Sequence, residues 1–162
     1  MDTKVNVKFA KVKPNAKIPS KRDEDMGFDI YACFEEEYMV IHPHETKLIP
    51  TGIASCCTSD YGFVLRERGS TGSKGIALRA GVIDSGYRNE WFVGLTNTTT
   101  KDVVIHKSNI IADDAIIYPY EKAIAQALVV PVPKVEIEEL SYEDLKSIKS
   151  ERGLGAIGSS GK

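Results

Sequence analysis

Short apolar runs, broken by Gly, Pro, Asn, Asp and Ser, recur along the whole chain. Residues 3–13 alternate, with Val5, Val7 and Phe9 on one side and Lys4, Asn6, Lys8 and Ala10 on the other. That period of two predicts a half-buried strand. Further strands are predicted at Met39–Ile41, at Lys47–Pro50 running on through Ala54, at Phe63–Leu65, and at Ile76–Leu78. Trp91–Leu95, Val103–His106 and Ala123–Val132 follow, and Val135–Leu140 is expected to close the sheet region. Turn formers sit between them, at Pro43–Glu45, Asp60–Gly62 and Thr96–Asp102. Asp84 to Tyr87 lies between the apolar run at 76–78 and that at 91–95, which predicts a β-hairpin with a polar tip. One helix is predicted, opened by the capping-box-like Ser141-Tyr142-Glu143-Asp144 and running to about Ser150. The pattern is all-β with many short strands and one late helix.

Composition narrows this picture. The 162 residues suffice for one domain with a real core. A net charge of −2 gives no electrostatic footprint for nucleic acid, so a phosphorylated ligand would need local basic groups. No run approaches the length of a membrane span, and Met1-Asp2-Thr3-Lys4 opens no apolar leader. The expectation is a soluble cytoplasmic protein without membrane or nucleic-acid partners. Cys33, Cys56 and Cys57 fit neither a disulfide framework nor a zinc pattern and read as reduced thiols. The charge run Lys21–Asp25 reads as a solvated face, and His42, His44, Asp113 and Asp114 as exposed loop residues.

Five stretches carry candidate chemistry. Asp29 stands among apolar neighbours in Gly27-Phe28-Asp29-Ile30-Tyr31-Ala32, where an acid is normally paired or outward-facing. Arg66 to Gly75 packs three glycines and three hydroxyls into one loop. Its backbone N–H groups could form a concave phosphate cradle, or the loop could be a plain turn. The glycine and lysine spacing is not that of a Walker loop. In Gly81-Val82-Ile83-Asp84-Ser85-Gly86-Tyr87, Asp84 could act as a base and Tyr87 as a stacking platform; equally, the residues could be ordinary turn formers. Gln126 is the one polar residue of a buried run and needs partners. The terminal Arg152–Gly161 has four glycines and two serines, the composition of a disordered tail or of a backbone that closes on phosphate.

In this order, these stretches resemble the five motifs of the trimeric dUTP pyrophosphatases (dUTPases). Gly27, Asp29, Ile30 and Ala32 match the first. Arg68 matches the second, with Gly69 at the family's Ser position and the hydroxyl one place later, at Ser70. Gly81, Ile83, Asp84 and Tyr87 match the third, with Asn89 in place of its last Gly. Ile124-Ala125-Gln126 match the fourth, and Glu121-Lys122-Ala123 replace its Gly-Asp-Arg. The tail matches the fifth without gaps, with Ala156 for a Gly and Ile157 for the aromatic that caps uracil.

The resemblance implies a distorted jelly-roll β-barrel at residues 1–150 and a flexible Gly-rich arm at 151–162 that closes over an active site. It also implies a homotrimer with each site built from three subunits, and hydrolysis of dUTP to dUMP and pyrophosphate. Asp84 would be the catalytic base. Arg68, Gly69, Ser70, Gln126, Arg152, Gly158, Ser159 and Ser160 would hold phosphates. Backbone at Gly81, Val82 and Ile83 would read uracil, Tyr87 would pack under deoxyribose and Ile157 would give apolar cover. Mg²⁺ would be held by triphosphate and water, with Asp29 organising the site nearby. Two alternatives stay open. One is a dCTP deaminase of the same fold, with Glu67 or Glu90 relaying protons. The other is a dUTPase-shaped regulatory protein that binds a protein partner through residues 97–122.

Overall fold

The alternating runs become strands of two to seven residues in the computed structural model, which describes residues 4–158. In chain order they are β1 (Lys8–Lys11), β2 (Phe28–Ile30), β3 (Tyr38–Ile41), β4 (Thr46–Pro50), β5 (Ile53–Cys56) and β6 (Tyr61–Arg66). A single helical turn, α1 (Gly69–Gly72), separates β6 from β7 (Ile76–Arg79). Next come β8 (Val82–Ile83), β9 (Phe92–Asn97), β10 (Asp102–His106), β11 (Ala115–Pro119) and β12 (Ala125–Pro131). The helix α2 (Tyr142–Ser147) completes the set. Two compact units result, Met1–Val132 and Pro133–Lys162.

In the first unit the strands pair in four ladders, β1-β5, β11-β10-β3, β2-β12-β6-β8 and β4-β9-β7. The architecture is mostly β and jelly-roll-like, but these ladders do not join into one closed barrel. All pairings are antiparallel except β10 with β11. The stretch from Lys47 to Ala54, expected as one strand, breaks at Gly52, whose φ of 67° turns the chain. Beyond the break, β5 leaves β4's ladder and pairs with β1. Isoleucines, valines and aromatics from the inner faces fill the core. At its centre Trp91, fully buried, packs edge-on to Phe63 at 4.9 Å and Phe9 at 5.5 Å. The indole N–H donates to the Ser55 hydroxyl, so the one polar atom of the ring is satisfied.

Four expectations change. The strand expected over residues 3–13 is confined to Lys8–Lys11, because β5 offers it only the four partners Ile53–Cys56, and Val5 is exposed. The hairpin predicted at 81–88 is not one: β7 pairs directly with β9, and residues 80–91 are an excursion between them. Its two-residue strand β8 pairs with β6 in a different ladder. The apolar lead-in and lead-out therefore mark a real pairing, but β8 finds a better-packed neighbour in Phe63 and Val64. The loop after β6 winds into the extra turn α1. Residues 133–140 carry no strand and are exposed, because Pro131 and Pro133 remove ladder donors at the end of β12. In the second unit Ser141 caps α2 as expected, its hydroxyl accepting from the Asp144 N–H at 3.1 Å. No helix among the described residues is long and apolar enough to cross a membrane.

Candidate active site

The ladder β2-β12-β6-β8 gathers the candidate residues. Gln126 lies between Asp29 on β2 and Arg66 on β6. Side chains at that end border a cavity of about 880 Å³. Asp29, Arg68, Gly69, Ser70, Ala123 and Gln126 line it, together with Gly27, Lys122 and the 20–22 and 25–26 stretches. On its wall Arg68 Nε lies 3.0 Å from Asp29 Oδ1. The lone Asp of the first stretch is thus paired, and the fixed fork of the guanidinium is partly neutralised but still faces the cavity.

Local chemistry sets Arg68. The buried Thr71 hydroxyl accepts the Arg68 N–H and donates to the Arg68 carbonyl, both at 3.1 Å. Sequence reasoning passed over Thr71, although its place three residues after Arg68 is that of a cap partner. Glu67 closes the same loop from below, its carboxylate accepting the Leu78 N–H at 3.0 Å. That bond holds the carboxyl below the usual glutamate range, helped by its own N–H and by Arg66 and Arg79. Gln126, half-buried at the cavity, donates to the Glu67 carbonyl at 2.8 Å, so its amide has a partner. Its side chain lies over Gly27, where an added Cβ would come within 2.4 Å of the amide oxygen. Ser70 lies 3.4 Å from the Tyr118 hydroxyl, which itself donates to the Ala123 carbonyl at 2.6 Å. Gly69 faces open space.

The charge run 21–25 is a solvated face as expected, with residues 21–24 exposed, and its Lys21, Arg22 and Asp25 also border the cavity. Its position immediately before Gly27–Asp29 was the available signal. Asp25 takes two bonds from Arg22, both at 2.9 Å, which hold its carboxyl below the usual range.

Asp84 lies elsewhere. With Val82, Ile83 and Ser85 it lines a second cavity of about 140 Å³. Ile83 pairs with Phe63, so Asp84 continues towards the start of β6, while Gln126 and Arg68 belong to its end. The four residue steps from Gly62 to Arg66 span about 13 Å at about 3.3 Å per residue. One chain therefore holds its candidate base and its candidate phosphate groups at opposite ends of one strand.

Strand β8 is the ladder's edge, so outward N–H and C=O groups of Val82 and Ile83 are not used by β6. Gly81 is fixed by close approach: its carbonyl accepts the Leu65 N–H at 2.6 Å, and a Cβ there would meet the Leu65 oxygen at 2.6 Å. Tyr87 N–H donates to the Asp84 carbonyl and its hydroxyl to the Glu90 carbonyl, leaving the ring half-exposed. Trp91 anchors the far end of the excursion through backbone bonds to Ile53 and Thr51.

Glu67 and Glu90, the proton relays a deaminase would use, are both engaged in holding backbone. Glu90 accepts from the Gly52 N–H at 2.8 Å and lies 3.3 Å from Lys13 Nζ. Neither borders either cavity. In the second unit Arg152 donates to the carbonyls of Gly155 and Ala156, and Ile157 is fully exposed. Gly158 adopts a φ of 85°. Ser159 and Ser160 lie outside the described residues. Within residues 97–122, β10 and β11 belong to a core ladder, and the connection between them exposes Ile111.

Residues 14–161 match the dUTPase family model. The deoxyuridine 5'-triphosphate nucleotidohydrolase of Nautilia profundicola is 35% identical over 162 residues, covering 98% of this chain and all of that protein. Among solved structures, a mutant Staphylococcus bacteriophage 80alpha dUTPase with dUpNHpp shares the fold at a TM-score of 0.75 and 22% identity. That match covers 97% of this chain and 99% of the phage protein. A mutant dUTPase from Staphylococcus aureus phage phi11, described for its coordination of a structural Mg(II) ion, aligns at a TM-score of 0.67 and 22% identity. It covers 85% of this chain and 99% of that one. With a family match over nearly its whole length and a full-length relative above 30% identity, this chain belongs to the dUTPase family.

Proposed function

We propose that this chain hydrolyses dUTP to dUMP and pyrophosphate, which keeps uracil out of DNA and supplies dUMP for dTMP synthesis. The observation that carries the site assignment is the Arg68–Asp29 pair on a cavity it shares with Ser70 and Gln126. In this reading Arg68 and the Gly69–Ser70 segment hold phosphate oxygens, and Gln126 fixes the loop that carries them. Asp84 takes a proton from the attacking water, held in line with the phosphoanhydride bond. The edge backbone of β8 distinguishes uracil from cytosine by its donor and acceptor order. The half-exposed Tyr87 ring packs under deoxyribose and excludes a 2′-hydroxyl.

The donor set suits Mg²⁺ bound chiefly through substrate and water. Asp25 and Asp29 offer hard oxygens to the larger cavity, both already paired with arginine. Among the described residues no three His, Cys, Asp or Glu converge as a closed cage. When bound, Mg²⁺ neutralises charge on the phosphate oxygens of the leaving group. Asp29 would orient its water shell.

The opposite placement of Asp84 and Arg68 supports a homotrimer in which neighbouring copies complete each site. The fifth-motif match supports residues 151–162 as the arm that covers it, with Arg152, Gly158, Ser159 and Ser160 towards phosphate and Ile157 over the base. A cytoplasmic location fits this reading. Incubation with Mg²⁺ and, separately, dUTP, UTP, dCTP and dTTP tests it. Conversion of dUTP alone to dUMP and pyrophosphate is expected. Hydrolysis of none would overturn the enzyme reading, and ammonia release from dCTP would replace it with deamination.

A further inference from the structure

The charges that line the larger cavity differ in how far they are already engaged. Asp25 is bound by Arg22 and Asp29 by Arg68. Glu121 is paired with Lys17 from outside the cavity lining. Lys21 Nζ donates to the carbonyls of Arg22 and Asp23 and lies 5.7 Å from the centre of the Phe28 ring. Arg68 divides its guanidinium between Asp29 and the Ala123 carbonyl. Lys122 alone among the lining cations has no side-chain hydrogen bond or ion pair among the described residues. It sits on a tight turn, its N–H bonded to the Pro119 carbonyl at 3.0 Å, so its backbone is fixed while its ammonium is exposed at the rim.

We propose that Lys122 is a substrate-contacting residue of this enzyme, its ammonium binding the phosphate chain once the nucleotide enters. This rests on the reading that the larger cavity takes the triphosphate. The physical need is local: Arg68 is partly neutralised by Asp29, and the whole chain is net negative, so a polyanion requires a cation not already engaged. The fourth motif's pattern has Asp and Arg where this chain has Lys122 and Ala123. The exchange puts a lone cation at the rim where the pattern would place a neutral pair, while the buried Ala123 keeps only its carbonyl in contact with Arg68. A lysine acts there as a flexible point charge and needs no fixed fork.

Three variants, Lys122→Ala, Lys122→Met and Lys122→Arg, test the proposal in two assays. With dUTP as substrate, KM is expected to rise about tenfold in Lys122→Met, more than any fall in kcat, and to recover in Lys122→Arg. In calorimetry with pyrophosphate alone, affinity is expected to fall in parallel, while deoxyuridine binding stays unchanged. Thermal unfolding should not move, since the residue is exposed and its side chain makes no hydrogen bond or ion pair among the described residues. Unaltered KM and unaltered pyrophosphate affinity in Lys122→Met would overturn the proposal. A wild-type chain inactive on dUTP would instead overturn the reading of the reaction. The pyrophosphate assay would still decide whether Lys122 binds phosphate.

Discussion

Asp84 occupies the turn after a two-residue strand, where its backbone carbonyl is tied to Tyr87 and its side chain is left to the surface cavity. Such a carboxylate has no structural duty, so its removal should affect chemistry and not folding. Asp84→Asn is expected to lower dUTP turnover about 10²- to 10⁴-fold, read as pyrophosphate release, with an unchanged unfolding midpoint. The displaced hydroxyl of the second motif poses a different question. Ser70 borders the cavity beside Tyr118, and Gly69 faces open space at an ordinary backbone angle. Ser70→Ala is expected to reduce kcat/KM about tenfold, the scale of one lost bond to a charged group. Gly69→Ser should fold normally and, in the Ser70→Ala background, restore part of that loss. Restoration would identify the two positions as alternative sources of one contact.

At the scale of elements, the turn α1 and the strands on either side behave as one clamp. Glu67 ties the loop's entry to Leu78 at its exit, Thr71 fastens Arg68, and Gln126 reaches across from β12. Because the folded Glu67 carboxyl titrates below the usual glutamate range, its stabilisation is complete above that range and is lost as pH falls through the lowered value. Glu67→Gln should therefore cost about 1 kcal/mol near neutral pH. The gap to wild type should close in acid, as urea unfolding at a series of pH values would show. Strand existence was legible in the sequence where a short apolar run is bounded by turn formers, as at Phe63–Leu65 within β6, whereas the alternation at Val5 and Val7 outran the strand, which starts only at Lys8. Partner choice was not. Whether Val82–Ile83 joins β9 or β6 depends on which apolar face it can cover, a contact between residues about twenty positions apart. The share of Lys21 and Arg22 in the cavity lining was hidden for a related reason: both stay exposed, as the charge run predicts, and only the fold brings that run to the same cavity as Arg68.

For the whole molecule, the first unit carries every described candidate except those of the tail. Truncation after Ser150 removes only residues that are exposed or outside the described range. It is expected to leave the unfolding midpoint within about 2 °C, since surface changes of this kind usually cost under about 0.5 kcal/mol. Turnover of dUTP should fall at least tenfold, the loss of a bond or more to charged phosphate. The order of the motifs along the chain was legible from the sequence, whereas their distribution between two ends of β6 was not, because spacing along a chain does not report distance across a ladder.

The separation along β6 has a consequence for genetics. A site that takes Asp84 from one copy and Arg68 from another can be repaired by mixing two dead proteins. Asp84→Asn and Arg68→Ala homo-oligomers would each be silent. Unfolded together in equal amounts and refolded, they would assemble at random, and about a quarter of the shared sites would receive both intact residues. Recovery of about that fraction of wild-type activity, absent when the two are mixed after folding, would make these two alleles complement each other within one gene.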